Sequence, residues 1–155
     1  MTMNIYLDTN MIIGWFKEVA KARKKNANIK EPEKLKFLVS QRYNLYVSTL
    51  TKLEVIRYLV SQWGISGDEA EKLWEEFIVT YNIIVLELET ISIKSLKDII
   101  KKVETRKKTL VNLMHLEIAK TYNLWLLTGD KGLLKCKFYY DKIISYIDLR
   151  RQVTQ

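Results

Sequence analysis

Short apolar runs alternate with longer helix-like segments along the whole chain, and this alternation limits its possible folds more than any other feature. The runs are rich in β-branched and aromatic residues and nearly free of charge, as expected for strands buried on both faces. The segments between them carry apolar residues at helical spacing. Strands that alternate with helices form a parallel sheet with right-handed crossovers. The pattern therefore predicts an α/β fold in which helices cover a central parallel sheet of about four to five strands.

The same pattern sets the bounds of the predicted elements. The predicted strands are Met3–Leu7, Leu45–Ser48, Ile83–Leu86, Leu124–Thr128 and Ile143–Tyr146. The predicted helices are Asn10–Lys25, Glu33–Gln41, Thr51–Trp63, Gly67–Tyr81, Ser92–Val103, Thr109–Tyr122 and a short one near Lys131–Cys136. No repeat or internal boundary interrupts this series. We expect one domain over residues 1–149, followed by a frayed C-terminal tail over residues 150–155.

The length and the cysteine content narrow the class of protein further. A chain of 155 residues is long enough for one domain with a sizeable core. The single cysteine, Cys136, excludes an internal disulfide framework and a cysteine-based zinc site. The N-terminus lacks the features of a signal peptide, and no stretch has the roughly 18 apolar residues of a membrane span. The sequence predicts a cytoplasmic protein that does not enter a membrane.

The charge is strongly basic and unevenly distributed. There are 26 Lys and Arg residues against 18 Asp and Glu residues, which gives a formal net charge of +8. This excess favours a polyanionic partner such as RNA. Solvated helix faces and a nucleic-acid track both explain the two basic runs. The runs comprise Lys17, Lys21, Arg23, Lys24, Lys25 and Lys30, and then Lys94, Lys97, Lys101, Lys102, Arg106, Lys107 and Lys108.

Four polar residues lie where an open parallel sheet binds its ligands, beyond the carboxyl ends of the strands. Asp8 follows the first predicted strand, and Asp130 lies just past the fourth. Glu54 comes early in the helix after the second strand, and Asn112 begins the helix that leads to the fourth. Carboxylates brought together repel one another unless a cation neutralises them. Hard oxygen ligands suit Mg²⁺ or Mn²⁺, which can polarise a phosphodiester and activate a water.

Each of these residues also has a purely structural explanation. Asp8 can cap the first helix, and Asp130 lies in a Gly-Asp-Lys-Gly segment typical of turns. Glu54 completes Thr51-Lys52-Leu53-Glu54, which has the form of a capping box. Asn112 can be an ordinary residue near a helix terminus. Their shared position at the strand ends favours the functional interpretation.

Four segments in this order resemble the PIN domain family, in particular the VapC-like toxin ribonucleases. The segments are Ile5–Asn10, Ser48–Val55, Asn112–Ala119 and Leu126–Asp130. The resemblance implies a three-layer α/β sandwich and metal-dependent cleavage of single-stranded RNA. It also implies that Asp8, Glu54 and Asp130 hold the metal, with Asn112 as the fourth catalytic position. We predict Thr9, Asn10, Arg57 and Thr128, which flank these residues, as substrate-binding residues.

The chain departs from the family pattern at Asn112, where an Asp is usual. Asn offers one carbonyl oxygen, removes a negative charge and cannot act as a base. Glu117 lies about 140° further around the helix and does not replace it. An engineered inactivation, a natural site with weaker metal binding and a lineage without catalysis all remain open as explanations.

The lone histidine and several aromatic residues have more than one interpretation. His115 can be a general base, but packing or hydrogen bonding beneath the site is the expectation for its family position. Phe138-Tyr139-Tyr140 can stack on unpaired bases or belong to the core or a dimer surface. The same choice between core, antitoxin groove and self-association applies to Trp15, Phe16, Trp63 and Trp74.

The sequence as a whole predicts a Mg²⁺- or Mn²⁺-dependent endoribonuclease, the toxin of a type II toxin–antitoxin pair, with activity impaired by Asn112. The expected partners are RNA, an antitoxin protein and a second copy of the chain in a homodimer. The alternative is a catalytically silent module on the same fold that binds RNA or acts as a scaffold. A phosphotransfer domain with Asp8 as nucleophile is disfavoured, because no Asp stands two residues later and no Gly-rich phosphate loop is present.

Overall fold

The computed structural model describes residues 2–87, 93–102 and 109–154. In these ranges five parallel strands form one sheet in the order β3-β2-β1-β4-β5. The strands are β1 (Asn4–Leu7), β2 (Asn44–Ser48), β3 (Ile84–Leu86), β4 (Trp125–Leu127) and β5 (Ile143–Ile144). The parallel sheet that the sequence predicts is confirmed.

Eight helices occur in the same ranges. They are α1 (Thr9–Lys25), α2 (Glu33–Ser40), α3 (Thr49–Trp63), α4 (Gly67–Thr80), α5 (Ile93–Lys102), α6 (Leu110–Thr121), α7 (Lys131–Leu134) and α8 (Tyr146–Thr154). Seven of them were predicted to within about two residues. Parts of the predictions fall outside the described residues, namely Met1, Ser92, Val103, Arg106, Lys107, Lys108 and Gln155.

Two apolar cores on opposite faces of the sheet make the fold a three-layer sandwich. On β1, Ile5 and Leu7 belong to one core with residues of α1 to α4 and α8. Tyr6, between them, belongs to the other core with residues of α5, α6 and α7. This alternation follows from the strand geometry, in which successive side chains point to opposite faces.

An aromatic cluster between α1 and α4 settles the interpretation of three residues. Trp15, Phe16, Trp74 and Phe77 are all buried, and their ring centroids lie 5.0–6.3 Å from neighbouring rings of the cluster. Trp15, Phe16 and Trp74 are therefore core residues. Trp63 is half-buried, with the Lys24 ammonium 5.5 Å from its ring.

The prediction of a frayed C-terminal tail is wrong. Strand β5 ends at Ile144, and residues 146–154 form helix α8. Its first turn is held by the Asp148 backbone N–H, which donates to the Ser145 hydroxyl at 3.1 Å. Leu149 is fully buried in the first core, and the Arg150 guanidinium lies 5.5 Å from the Phe37 ring. These contacts explain why the chain stays helical to Thr154.

None of the helices in the described ranges is both long and apolar enough to cross a membrane. The first basic run lies mostly in the second half of α1 and just beyond it. Since α1 starts at the carboxyl edge of the sheet and has 17 residues, its far end is about 25 Å from that edge.

Candidate active site

The register of β1 and β4 places two of the predicted residues side by side. Leu7 is the partner of Leu127, and the Asp8 backbone N–H donates to the Leu127 carbonyl oxygen at 3.0 Å. Thr128 follows Leu127, and its hydroxyl donates to Asp8 Oδ2 at 2.8 Å. The same hydroxyl accepts a hydrogen bond from the Asp130 backbone N–H at 3.0 Å. Thr128 thus joins Asp8 and Asp130 at the carboxyl edge of the sheet.

Asp8 is a buried carboxylate in an energetically unfavourable position. It is only 2% exposed and caps α1, with Oδ1 accepting from the Thr9 backbone N–H at 2.8 Å. Burial raises the pKa of Asp8, and the nearby Glu54 carboxylate adds to this effect. The electrostatic effect of His115 and the hydrogen bonds from Thr128 and Thr9 oppose the rise without cancelling it. The ionised form of Asp8 therefore lacks full compensation from the protein.

Glu54 lies in the second turn of α3 and points to the same edge. The capping box of this helix is formed by Ser48 and Thr51, so the capping explanation of Glu54 is wrong. Its Oε1 instead accepts hydrogen bonds from the Thr9 hydroxyl, at 2.7 Å, and from His115 Nε2. Burial alone would raise the pKa of Glu54, but the two hydrogen bonds and the imidazole outweigh burial and lower it. Glu54 is thus held as an anion.

Asn112 lies against Asp130. Helix α6 begins after Thr109, whose hydroxyl accepts from the Asn112 backbone N–H at 3.1 Å. The Asn112 side-chain Nδ2 donates to Asp130 Oδ2 at 3.1 Å. Asp130 also caps α7, with Oδ1 accepting from the Leu133 backbone N–H at 2.8 Å. The amide of Asn112 therefore fills a place where a carboxylate would repel Asp130.

Glu117 does not take over the role of the missing acid. Its carboxylate is buried and accepts a hydrogen bond from the Tyr139 hydroxyl at 2.6 Å. The Lys120 ammonium lies 3.9 Å from the centre of the Tyr139 ring. Tyr140 is buried as well, whereas Phe138 is 72% exposed. The side chains of Tyr139 and Tyr140 therefore make their contacts within the protein.

Two further residues lie behind the site: Tyr6, which the sequence did not single out, and His115, for which it offered a general base or hydrogen bonding beneath the site. His115 is fully buried, with Nε2 bonded to Glu54 and Nδ1 2.6 Å from the Tyr6 hydroxyl. The Tyr6 hydroxyl also lies 2.8 Å from Ser48 Oγ. A sequence signal existed only for His115, which follows Asn112 by about one helical turn. Tyr6 lies within an apolar strand, where its hydroxyl gives no signal of its own.

The four predicted substrate-binding residues separate into two groups. Thr9 and Thr128 are buried, and their hydroxyls donate to Glu54 and Asp8, so within the protein they contact the acids; contact with a substrate stays a prediction for them. Asn10 and Arg57 are exposed. Both Arg57 and Glu54 are described, and no ion pair joins them. Contact of Asn10 and Arg57 with a substrate remains a prediction.

The carboxylate oxygens of these side chains are the ligand type that a hard divalent cation prefers. Their side chains are, however, too far apart in this structure to form a complete metal site. Three carboxylates meet at one edge, and within the described ranges no Lys or Arg pairs with Asp8, Glu54 or Asp130. Burial raises the pKa of Asp8, so a cation beside this carboxylate would stabilise its ionised form. Among the described residues, no group of three or more His, Cys, Asp and Glu side chains is arranged to hold a metal. An Asp at position 112 would place a second carboxylate against Asp130.

Comparisons with known proteins agree with this architecture. The model of the PIN domain family matches residues 5–139. No curated protein matches the chain by sequence. Among solved structures, a chain of the crystal structure of VapBC2 from Rickettsia felis bound to a DNA fragment from their promoter is similar, with a TM-score of 0.60. The two chains are 14% identical, and the alignment covers 92% of this chain and 98% of the other, so the likeness concerns the fold.

Proposed function

The chain belongs to the PIN domain family, and from this we propose that it is a Mg²⁺- or Mn²⁺-dependent endoribonuclease for single-stranded RNA, the toxin of a type II toxin–antitoxin pair. One observation carries the proposal. Asp8, Glu54 and Asp130, which are distant in sequence, come to one edge of the sheet, where no Lys or Arg of the described residues pairs with them.

In this proposal Asp8, Glu54 and Asp130 hold the ion, and the carbonyl oxygen of Asn112 is a weaker fourth ligand. When bound, such an ion polarises the phosphodiester and lowers the pKa of an attacking water. The lowered pKa of Glu54 suits a metal ligand better than a general base, because a base needs a pKa near the working pH.

The other site residues act on these ligands. Thr128 fixes Asp8 relative to Asp130 through its two hydrogen bonds. Thr9 and His115 fix Glu54. The helices α1, α3, α6 and α7 all begin at this edge, and the partial positive charge of their N-termini favours the phosphate groups of RNA there.

The proposed partners follow from the family and the shared fold. The similar solved structure contains VapBC2 with promoter DNA, which supports a small antitoxin as the partner of this chain. We further propose a homodimer that works in the cytoplasm. The net charge of +8 supports RNA as the substrate, since the phosphate backbone dominates the affinity of such complexes.

A specific observation supports a second candidate, a catalytically silent RNA-binding module. The Asn112 amide donates to Asp130 and so occupies a carboxylate oxygen that a metal would use. In this case RNA affinity is salt-sensitive, but no metal-dependent turnover occurs even in the Asn112→Asp variant.

The two candidates differ in the cleavage of a fluorescently labelled single-stranded RNA with Mn²⁺. We expect cleavage by the wild-type protein, none in excess EDTA, and loss of at least about 100-fold in Asp8→Asn. Asp141→Asn, which removes an exposed carboxylate, is the matched control and should cleave normally. Cleavage that persists in EDTA or in Asp8→Asn contradicts the proposal. RNA binding without cleavage in both the wild-type and Asn112→Asp proteins favours the silent module.

A further inference from the structure

We propose that Tyr6 and His115 are positioning residues, which hold the Glu54 carboxylate at the metal-binding edge through a hydrogen-bond chain that starts at Ser48. This inference rests on the proposed function, because the position of Glu54 matters for an ion held there. The chain of contacts is Ser48 Oγ to Tyr6 hydroxyl at 2.8 Å, Tyr6 hydroxyl to His115 Nδ1 at 2.6 Å, and His115 Nε2 to Glu54 Oε1.

The chain satisfies each polar group that it contains. An ionised Glu54 only accepts hydrogen bonds, so His115 Nε2 donates to it. The other ring nitrogen, Nδ1, is held by the Tyr6 hydroxyl, so the imidazole has a partner at both nitrogens. The Tyr6 hydroxyl also contacts the Ser48 hydroxyl, and Ser48 Oγ accepts from the Thr51 backbone N–H at 3.4 Å.

The chain connects the elements that carry the other site residues. Tyr6 lies in β1 two residues before Asp8, and His115 lies in α6 three residues after Asn112. Glu54 lies in α3. The contacts therefore fix α3 relative to β1 and α6, and so fix Glu54 relative to both Asp8 and Asn112.

The burial of the chain argues for positioning rather than catalysis. Tyr6 and His115 are both fully buried, and among the described side chains no buried polar atom lacks a partner. Both ring nitrogens of His115 have protein partners, so neither is free to meet a water or a substrate. Hydrogen-bonding groups behind a metal ligand typically change metal affinity by about 10–100-fold when they are removed.

The imidazole gives a test that does not depend on activity. His115 is the only histidine, so a long-range ¹H–¹⁵N spectrum of the imidazole reports on it alone. In the metal-free protein we expect Tyr6→Phe to shift the Nδ1 signal and Glu54→Gln to shift the Nε2 signal, because each substitution changes the partner of that nitrogen. Tyr140→Phe should leave both signals in place. Imidazole signals in Tyr6→Phe that match those of the wild-type protein contradict the inference.

Mn²⁺ affinity, measured by titration calorimetry, tests the consequence. We expect Tyr6→Phe and His115→Leu to weaken binding by about 10-fold or more, and His115→Gln, which keeps an amide donor, to weaken it less. The RNA-cleavage kcat should fall with them at unchanged KM for RNA. Tyr140→Phe is the matched control, since Tyr140 is also a buried tyrosine but donates to the Leu124 carbonyl oxygen at 2.6 Å.

The outcomes separate this inference from the proposed function. Wild-type Mn²⁺ affinity in Tyr6→Phe and His115→Leu, together with lost affinity in Glu54→Gln, contradicts the positioning role alone. An equal loss in Tyr140→Phe and Tyr6→Phe also contradicts it, because the effect would then be general to the core. No Mn²⁺ binding by the folded wild-type protein contradicts both.

Discussion

At the scale of single residues, the site combines one unfavourably placed acid with one well-stabilised acid. Burial raises the pKa of Asp8, whereas hydrogen bonds from His115 and Thr9 lower the pKa of Glu54 despite its partial burial. The buried Asp8 anion therefore lowers the free energy of unfolding of the protein. Such destabilising residues are common at functional sites. The cation that we propose would remove this cost.

Asp8→Asn should therefore stabilise the metal-free protein at neutral pH. The melting temperature should rise by about 2–4 °C, the effect of about 1 kcal/mol in a domain of this size. Below the usual aspartate pKa of about 3.9, Asp8 is protonated in both the folded and unfolded states and carries no cost. As the pH rises from there through its raised folded pKa, the cost of the anion appears in full. The gain from the substitution should grow over the same interval in thermal scans with EDTA.

Glu54→Gln is the control, for which we expect a change in melting temperature of the opposite sign. Because its folded pKa is lowered, ionised Glu54 contributes stability above its usual pKa, and this contribution is lost as the pH falls through the folded pKa. The melting temperature of Glu54→Gln should therefore be below that of the wild-type protein at pH 7. A fall in Asp8→Asn equal to that in Glu54→Gln would show that Asp8 is not destabilising.

Asn112→Asp should restore a metal ligand. It should also lower the stability of the metal-free protein. The new carboxylate faces Asp130 Oδ2, so repulsion should lower the melting temperature in EDTA. Mn²⁺ affinity should rise by about tenfold, which corresponds to about 1.4 kcal/mol. Calorimetric titration measures this change, and Asn28→Asp, an exposed change of the same charge, should leave the affinity unchanged. An unchanged affinity in Asn112→Asp would exclude position 112 from the site.

The sequence predicted the positions of the acids in the fold better than their hydrogen-bond partners. Asp8 and Asp130 are found by position alone, because the carboxyl ends of parallel strands must meet at one edge. The contact between Tyr6 and His115 cannot be found in this way. It joins residues 109 positions apart and depends on how α6 packs on the sheet. Thr9 and Thr128 were found, but which way their hydroxyls face depends on tertiary structure.

At the scale of secondary-structure elements, helix caps organise the site. Asp8, Ser48, Thr109 and Asp130 cap α1, α3, α6 and α7, and each cap lies at or beside a site residue. The structural explanation is thus correct for Asp8 and Asp130, and metal binding by the same carboxylates stays a proposal. The cap that starts the helix also fixes the direction of the carboxylate.

Loss of the α6 cap should therefore affect both stability and metal binding. Thr109→Ala removes the hydroxyl that accepts from the Asn112 backbone N–H and should cost about 1 kcal/mol in urea unfolding. The matched control is Ser66→Ala, which removes the cap of α4. Its stability cost should be similar, but only Thr109→Ala should weaken Mn²⁺ binding. Equal effects on Mn²⁺ binding would mean that the cap of α6 has no particular role at the site.

The helices and strands were largely predictable because their start and stop signals are local. Gly64, with φ of 63°, follows the predicted end of α3 and terminates it, and Ser66 directly precedes the predicted start of α4 and caps it. The prediction failed for α8, although Ser145-Tyr-Ile-Asp148 is itself a capping sequence. The predicted strand Ile143–Tyr146 included the first residues of this capping sequence, and the helix was missed for that reason.

At the scale of the whole molecule, the position of the basic residues decides their role. The far end of α1, with Lys24 and Lys25, is about 25 Å from the site along the helix. Lys101 and Lys102 end α5, whose neighbour α6 begins at the site. The second basic run is therefore the better candidate for guiding RNA to the acids.

Charge reversal should distinguish the two basic regions. Lys101→Glu with Lys102→Glu should weaken RNA binding and reduce the slope of log affinity against log salt, by about 0.7 for each lost contact to single-stranded RNA. Lys24→Glu with Lys25→Glu changes the net charge equally and should have a smaller effect. Fluorescence anisotropy over a salt series measures both. A larger effect at α1 would contradict this assignment.

The central claim is that Asp8, Glu54 and Asp130 share one divalent ion. Anomalous diffraction at the manganese absorption edge, from crystals soaked in MnCl₂, tests it most directly. We predict one strong peak within coordination distance of Asp8 and Asp130, and no peak there in crystals of Asp8→Asn. A peak elsewhere on the molecule, with none at this edge, would contradict the account.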